Sequence, residues 1–340
     1  MITYSEQIRA IAQRAKARED ALPVSDPACR SRFWFHPRPT AKVCLFFHGF
    51  TAGPYQFEPM GEAFYQAGYN VLVPLQPGHG IAGDWNRDHP PPLPTDVLTY
   101  QEFALAWFQQ AQSLGKQVVV GGLSSGATLA AWLATECPQE IVRTLLFAPY
   151  LSGNNRLVDF LVETLPVYFE WLNKDDPGHH GYDGFRIPAL RLFLDLGQEL
   201  IDRADQRLAA PMFVISSASD RATNPQDHQA LFKAALKYQP QTWYHCLDEA
   251  LDIPHTMMTR AEGNDYENLL ITLAKAFVES NLTWAEVLAI GDRLLHGNTF
   301  DEAVAELNLQ QRTAPELSVM MAMLDPKAII SAISAHQAEL

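Results

Sequence analysis

The chain has 340 residues, 47% of them hydrophobic, enough to fill the core of one large domain with insertions. Its formal net charge of −14 repels phosphate backbones and anionic lipid heads, which argues against a nucleic-acid partner and reads as a solvated acidic surface. Cys29, Cys44, Cys137 and Cys246 lack C-x-x-C spacing, so neither a zinc site nor a redox pair is expected, and no apolar run is long enough to span a bilayer.

Near the start, Ile2, Ile8, Ile11, Ala12 and Ala15 alternate with charged residues in a short helical pattern. The order is not the charged-then-apolar order of a signal peptide, and a soluble, cytoplasmic protein is expected. Residues 1–28 therefore read as an N-terminal helix and its exit turn. Two strand-like runs follow, 32–35 and 42–47, separated by Pro37 and Pro39. The loop His48-Gly49-Phe50-Thr51-Ala52-Gly53 leads to helical spacing over 57–67, and a further apolar strand over 70–75 ends in Gln76-Pro77-Gly78-His79-Gly80. Asp84 and Trp85 lie in the next loop, 90–94 is too proline-rich for a helix, and the chain turns helical from Thr95.

Everything then converges on Val118-Val119-Val120-Gly121-Gly122-Leu123-Ser124-Ser125-Gly126, an apolar β-branched run broken by glycines around a serine and followed by a helical pattern. It reads strand, tight turn, helix. The pentapeptide Gly122 to Gly126 fits G-x-S-x-G, in which the middle serine stands at the apex of a strained turn and the glycines let strand and helix backbones approach. Alone it is weak, because a serine before a helix is often only a cap. The strand before it and the helix after it supply the required context. A buried strand over 144–150 comes next, and the alternation of apolar strands with helices points to a mostly parallel sheet covered on both faces.

From 152 to 210 that rhythm stops. A dense apolar cluster that includes Phe160, Phe169 and Trp171 is broken by Pro, Gly and two histidines over 175–184, after which Leu190, Phe193, Leu194, Ile201, Ala204 and Leu208 trace one helical face. Strand, helix and strand resume over 211–215, 225–236 and 242–247, and a last helix is expected over 266–278. In the tail, 284–295, 300–307 and 326–335 read as short amphipathic helices. For residues 281–340 three roles stay open: packing on the body, capping it, or pairing two subunits into a homo-oligomer.

His48-Gly49-Phe50, Pro77-Gly78-His79-Gly80, the G-x-S-x-G pentapeptide, the strand ending near Asp220 and the loop carrying His255 occur in this order. Together they resemble the α/β-hydrolase superfamily, nearest its carboxylesterase and monoacylglycerol-lipase-like branch, from about Phe33 to Val278. The resemblance implies a mostly parallel central sheet flanked by helices, made of residues 29–151 and 211–280. It also implies a helical cap or lid over 152–210, and a helical extension over 281–340 lies outside it.

The same resemblance implies a serine hydrolase cleaving carboxylic esters of small molecules, with acyl or monoacylglycerol-like substrates and no cofactor or metal. A serine hydroxyl needs an imidazole to take its proton and a carboxylate to hold that imidazole's tautomer. Ser124 is the expected nucleophile and His255 the expected base, in the loop where the family places it. His228 and His245 are alternatives that fall in a helix and a strand. Asp220, closing a buried strand, is the expected acid, with Asp248 and Asp252 as rivals. The backbone N–H groups of Ser125 and Phe50 are implied as the oxyanion hole, and His48, His79, Trp85, Phe160 and Phe169, in the loop, entrance and lid, as substrate-binding residues. A thioesterase or C–C hydrolase would use the same triad, and a catalytically silent fold used for binding is the competing class. Serine at 124, where haloalkane dehalogenases and epoxide hydrolases carry aspartate, argues against those relatives. His179 and His180 with Asp175, Asp176 and Asp183 offer no zinc spacing.

Overall fold

Seven strands form one sheet in the computed structural model of the chain, which describes residues 3–152, 168–171, 178–323, 330 and 333–334. They are β1 (Arg32–Trp34), β2 (Lys42–Phe47), β3 (Asn70–Val73), β4 (Gln117–Leu123), β5 (Ile141–Phe147), β8 (Met212–Ser217) and β9 (Trp243–Leu247), in the order β1-β3-β2-β4-β5-β8-β9. β1 pairs antiparallel with β3, and the other pairings are parallel. Val118, Val119, Val120 and Leu123 on β4 are all buried, because helices cover both faces of a central parallel strand. That is why the run is continuously apolar and not alternating.

Helices α3 (Val97–Leu114), α4 (Ser125–Glu136) and α5 (Ile187–Ala204) pack together on one side, and α1 (Tyr4–Asp20) lies on α3. On the other side α2 (Glu58–Gln66) packs on β1 and β3 and touches α7 (Glu267–Glu279). Helix α6 (Pro225–Leu236) covers β8 and β9. Asn224 caps α6 by accepting from the Gln226 N–H, and Pro225 at its first position has no N–H to leave unpaired.

Between β5 and β8 the described residues hold α5 and a two-stranded antiparallel hairpin, β6 (Tyr168–Glu170) with β7 (Gly184–Arg186). Strands of three residues are too short to leave a period in a sequence. The expected cluster residue Phe160 lies outside the described residues.

The tail packs on the body. Helices α8 (Trp284–Leu295), α9 (Phe300–Glu306) and α10 (Pro315–Met323) follow α7, and α10 lies along it with Leu317, Met320 and Met321 buried. The Trp243 indole on edge strand β9 donates to the Leu282 carbonyl at 3.1 Å, and the Trp284 ring meets Phe232 edge-on. Arg312 grips Glu286 with both terminal nitrogens, at 2.6 and 2.8 Å. The structure adds a helix over Pro315–Met323 that the sequence pattern does not predict, and most of the one expected over 326–335 lies outside the described residues.

Removing residues 281–340 is therefore expected to uncover Trp243 and Phe277 and leave the Trp243 indole without its acceptor. The truncated chain should aggregate or melt well below the full chain in a thermal scan. An unchanged melting temperature would show that the tail contributes no stability.

Candidate active site

β4 ends at Leu123, and α4 begins at Ser125. Ser124 between them has φ 56° and ψ −119°, outside the regions that L-residues ordinarily occupy. Its N–H donates to the Phe147 carbonyl on β5 at 2.9 Å, and its carbonyl accepts from Thr128 N–H at 3.0 Å and from Tyr150 N–H at 3.2 Å. The end of β5, the first turn of α4 and the segment after β5 thus hold the turn. The flanking glycines are required by close approach: a Cβ on Gly122 would lie 2.2 Å from the Gly126 carbonyl, and one on Gly126 would lie 2.2 Å from the Phe47 oxygen. Helix and sheet meet backbone to backbone here, and Ser124 projects from the apex.

The loop after β9 brings His255 to that apex. Its Nε2 stands 2.9 Å from Ser124 Oγ, and its Nδ1 stands 2.8 Å from Asp220 Oδ2. Asp220 follows β8 in a tight turn, with its N–H donating to the Ser217 carbonyl. The two loops are tied by Ser217 Oγ, which donates to the Ile253 carbonyl at 2.6 Å, just before His255.

Asp220 is 6% exposed, and its carboxylate is saturated with donors. Oδ1 accepts from the N–H groups of Ala222 and Thr223, and Oδ2 accepts from Thr223 Oγ1 at 2.6 Å as well as from the imidazole. Burial by itself would raise this carboxyl's pKa, but the attraction of His255 and these hydrogen bonds hold it far below the carboxylate range. Asp248 and Asp252 are elsewhere: Asp248 is exposed and accepts from the Ala250 N–H, and Asp252 is exposed in a left-handed conformation.

The histidines separate by what faces them. Burial pushes His79, His228 and His245 down to about 4, and His48 also well below the ordinary imidazole value. Burial pulls His255 the same way, but the charge of Asp220 and its hydrogen bond outweigh it and raise the pKa. His228 bridges Ser216 Oγ and the Pro149 carbonyl, and His245 lies within β9.

On the facing loop His48 is fully buried, and backbone groups engage both ring nitrogens. Nε2 accepts from the Gln76 N–H at 3.1 Å, so Nδ1 carries the proton and donates to the Gly49 carbonyl at 3.0 Å. His48 therefore presents no free nitrogen to a substrate. It holds the Gly49–Phe50 peptide, and because that unit is planar and trans, the Phe50 N–H points away from the anchored carbonyl. Among the described residues no acceptor meets this N–H. The Ser125 N–H at the start of α4 belongs to the first turn of a helix, where amides lack intrahelical partners.

Aromatic rings surround Phe50. Phe185 of β7 meets it edge-on at 5.0 Å, and Phe193 of α5 and His79 stand at 5.9 Å. Tyr182 ties the inserted segment to the 76–81 loop, its hydroxyl donating to the Gly78 carbonyl at 2.7 Å and accepting from the Ile81 N–H at 2.8 Å. Trp85 is half-buried, with its indole N–H donating to Ile81, and Phe169 is exposed beside Trp171 and Phe185. His180 pairs with Asp26 while His179 faces Asp183, so the adjacent rings diverge. Among the described residues no group of three His, Cys, Asp or Glu side chains could hold a metal ion, and no helix is long and apolar enough to cross a membrane.

The sequence carries the same pattern at family scale: residues 44–317 match the profile of the alpha/beta hydrolase family. The chain belongs to this family. Over 94 residues this α/β-hydrolase chain is 34% identical to the thermostable monoacylglycerol lipase of Bacillus sp. (strain H-257), a match covering 28% of the chain and 35% of the relative. The match thus spans about a third of that curated relative's length. Among solved structures, the α/β-hydrolase chain is similar to a metagenome-derived lipolytic enzyme, with a TM-score of 0.59 and 18% identity, over 74% of this chain and 98% of that one. A soluble variant of the Saccharomyces cerevisiae monoglyceride lipase, bound to a substrate analog, gives a TM-score of 0.58 and 14% identity over 74% and 91% of the two chains. At such identities the likeness establishes the fold of the α/β-hydrolase chain and nothing finer.

The geometry makes a prediction that needs no substrate. In an NMR titration the His255 ring should take up its proton above the ordinary imidazole pKa, and Asp220→Asn should bring that midpoint down, since burial remains and the charge is gone. A midpoint that Asp220→Asn leaves unmoved would mean that the Asp220 carboxylate does not set it.

Proposed function

We propose that this α/β hydrolase cleaves small carboxylic esters through an acyl-enzyme intermediate, with Ser124 as nucleophile, His255 as general base and Asp220 as the orienting acid. One observation carries the proposal: a strained serine whose Oγ lies 2.9 Å from an imidazole that is itself 2.8 Å from a buried carboxylate. Each contact supports one role. The carboxylate selects the tautomer with its proton on Nδ1, which leaves the Nε2 lone pair facing the serine hydroxyl. As Oγ attacks the ester carbonyl, its proton passes to Nε2, and the nearby negative charge of Asp220 favours the imidazolium that results.

The carbonyl oxygen then carries negative charge. The N–H groups of Phe50 and Ser125, the second at the positive end of α4, are the proposed donors to it. Collapse of the tetrahedral intermediate breaks the bond to the alcohol oxygen, which takes the Nε2 proton and leaves. In the second half a water molecule gives its proton to Nε2 and attacks the acyl carbon; the bond from that carbon to Ser124 Oγ then breaks, Oγ takes the Nε2 proton, and the acid departs. The side chains of Phe50, Phe185 and Phe193 supply an apolar surroundings, and the inserted segment 152–210 is the proposed lid. Acyl esters of the monoacylglycerol kind suit that lining, in keeping with the names of the similar proteins.

The purified protein should hydrolyse p-nitrophenyl esters, with a chain-length preference that sizes the acyl site, and Ser124→Ala should lower turnover by ~10⁶-fold. Because His255 must be neutral to accept a proton and its pKa is raised, kcat/KM should fall as pH drops through a value above the usual imidazole range. If wild type and Ser124→Ala are equally inert on esters and thioesters, and a serine-directed fluorophosphonate fails to label Ser124, the fold serves binding and the proposal fails. Cleavage of thioesters alone would move the substrate class.

A further inference from the structure

A carboxylate outside the proposed triad touches both loops that the chemistry depends on. Glu262 ends a short 3-10 turn, Arg260–Glu262, in the same loop as His255. Its Oε1 accepts from Gln56 Nε2 at 2.7 Å. The other end of the buried Gln56 amide, Oε1, accepts the Gly49 N–H at 2.8 Å. Gly49 is the residue whose carbonyl His48 anchors, so its two peptide groups are fixed from opposite ends, one by His48 and one by Gln56. On the His255 side, Thr256 Oγ1 donates to the Glu262 carbonyl at 3.1 Å, and Thr259 Oγ1 donates to Glu262 Oε2 at 3.0 Å.

Any acceptor would satisfy Gln56, so the use of an acid here calls for an electrostatic reason. Burial pushes the Glu262 carboxyl up to about 7, against the hydrogen bonds from Gln56 and Thr259 and the attraction of His255. The reciprocal effect is seen on His255, where Glu262 adds to the upward pull of Asp220. The groups facing Glu262 are Gln56 and Tyr55 from the turn Pro54–Phe57, and His255 and Thr259 from its own loop. Beyond Tyr55, the His180 ring meets it at 5.0 Å and is itself paired with Asp26, while Arg260 is exposed and donates its backbone N–H to Glu267.

We propose that Glu262 is a positioning residue for the ester cleavage put forward above. Through Gln56 it holds the Gly49–Phe50 segment at the distance from His255 that an oxyanion on a Ser124 adduct requires. In its ionised form it also favours, by charge, the imidazolium that forms as Ser124 loses its proton. The inference rests on that reading of Ser124, Asp220 and His255, and it assigns no direct contact between Glu262 and substrate.

The test is steady-state kinetics on one p-nitrophenyl ester for wild type, Glu262→Gln and Gln56→Ala, each normalised to sites that react with a fluorophosphonate. Glu262→Gln keeps an acceptor for Gln56 and removes the charge. It should lower kcat about tenfold with little change in KM, less than the ~10²–10³ loss of an oxyanion donor itself, and should shift the acid limb of kcat/KM to lower pH. Gln56→Ala keeps the carboxyl and cuts the link; because the lost hydrogen bond favours the ionised Glu262, the acid limb should move in the same direction as in Glu262→Gln but less, while kcat falls. An NMR titration of His255 in Glu262→Gln, which needs no turnover, should show a lowered midpoint.

If both variants keep kcat per reactive site within twofold of wild type and the His255 midpoint does not move, Glu262 has only a packing role and the proposal is overturned, whatever happens to the melting temperature. If wild type itself neither cleaves esters nor reacts with the fluorophosphonate, the triad reading fails first and takes this inference with it.

Discussion

The backbone of Ser124 is the constraint on which the site depends. A positive φ at a non-glycine residue persists only where neighbours over-determine it, and here β5, the first turn of α4 and the segment after β5 all bond to its peptide groups. Contact between Gly122 and Gly126 brings α4 down onto the ends of β2 and β4. That approach sets the start of the helix against the Phe47 and His48 carbonyls, just ahead of the Gly49–Phe50 peptide. A side chain at either glycine would push the helix away, and the two proposed oxyanion donors would separate with it.

Electrostatics then distinguishes groups of the same type. His48, His79 and His228 are buried as deeply as Asp220 and stay neutral, serving as fixed hydrogen-bonding elements for backbone and neighbouring side chains. His255 differs through the carboxylate beside it. The charge on Asp220 is in turn tolerated in the interior because its oxygens accept from two backbone N–H groups, a hydroxyl and the imidazole. Removing any one partner would leave a buried polar group short, so the cluster behaves as a unit.

The loops around the serine are pinned by a few long-range bonds. Ser217 joins the Asp220 and His255 loops, Gln56 joins the Phe50 and His255 loops, and Tyr182 joins the inserted segment to the 76–81 loop. Each is a side chain satisfying a backbone group or another side chain across a gap that no secondary structure spans. Phe50 stands where these loops meet, its backbone committed to the peptide that His48 anchors and its ring to Phe185 and Phe193.

Local periodicity made most of this readable from residues alone. Continuous apolar runs marked the buried parallel strands, and the glycines around Ser124 marked the one turn where backbones had to touch. Its place at the end of a buried strand favoured Asp220 over Asp248 and Asp252, although all three precede His255 in loops; the sheet order that brings the end of β8 beside the loop after β9 puts the Asp220 carboxylate against the imidazole. The hairpin of β6 and β7 and the helix at Pro315–Met323 went unseen, the first too short for a period and the second held by packing against α7. Glu262 carried no sequence signal, since its partner Gln56 lies 206 residues away. What the chain determined by itself was the strand–turn–helix that strains Ser124, since that geometry follows from residue size and backbone freedom within one short stretch. That the expected carboxylate and imidazole stand in line with that serine was decided only in three dimensions, because hydrogen bonds and burial depend on what the fold brings near.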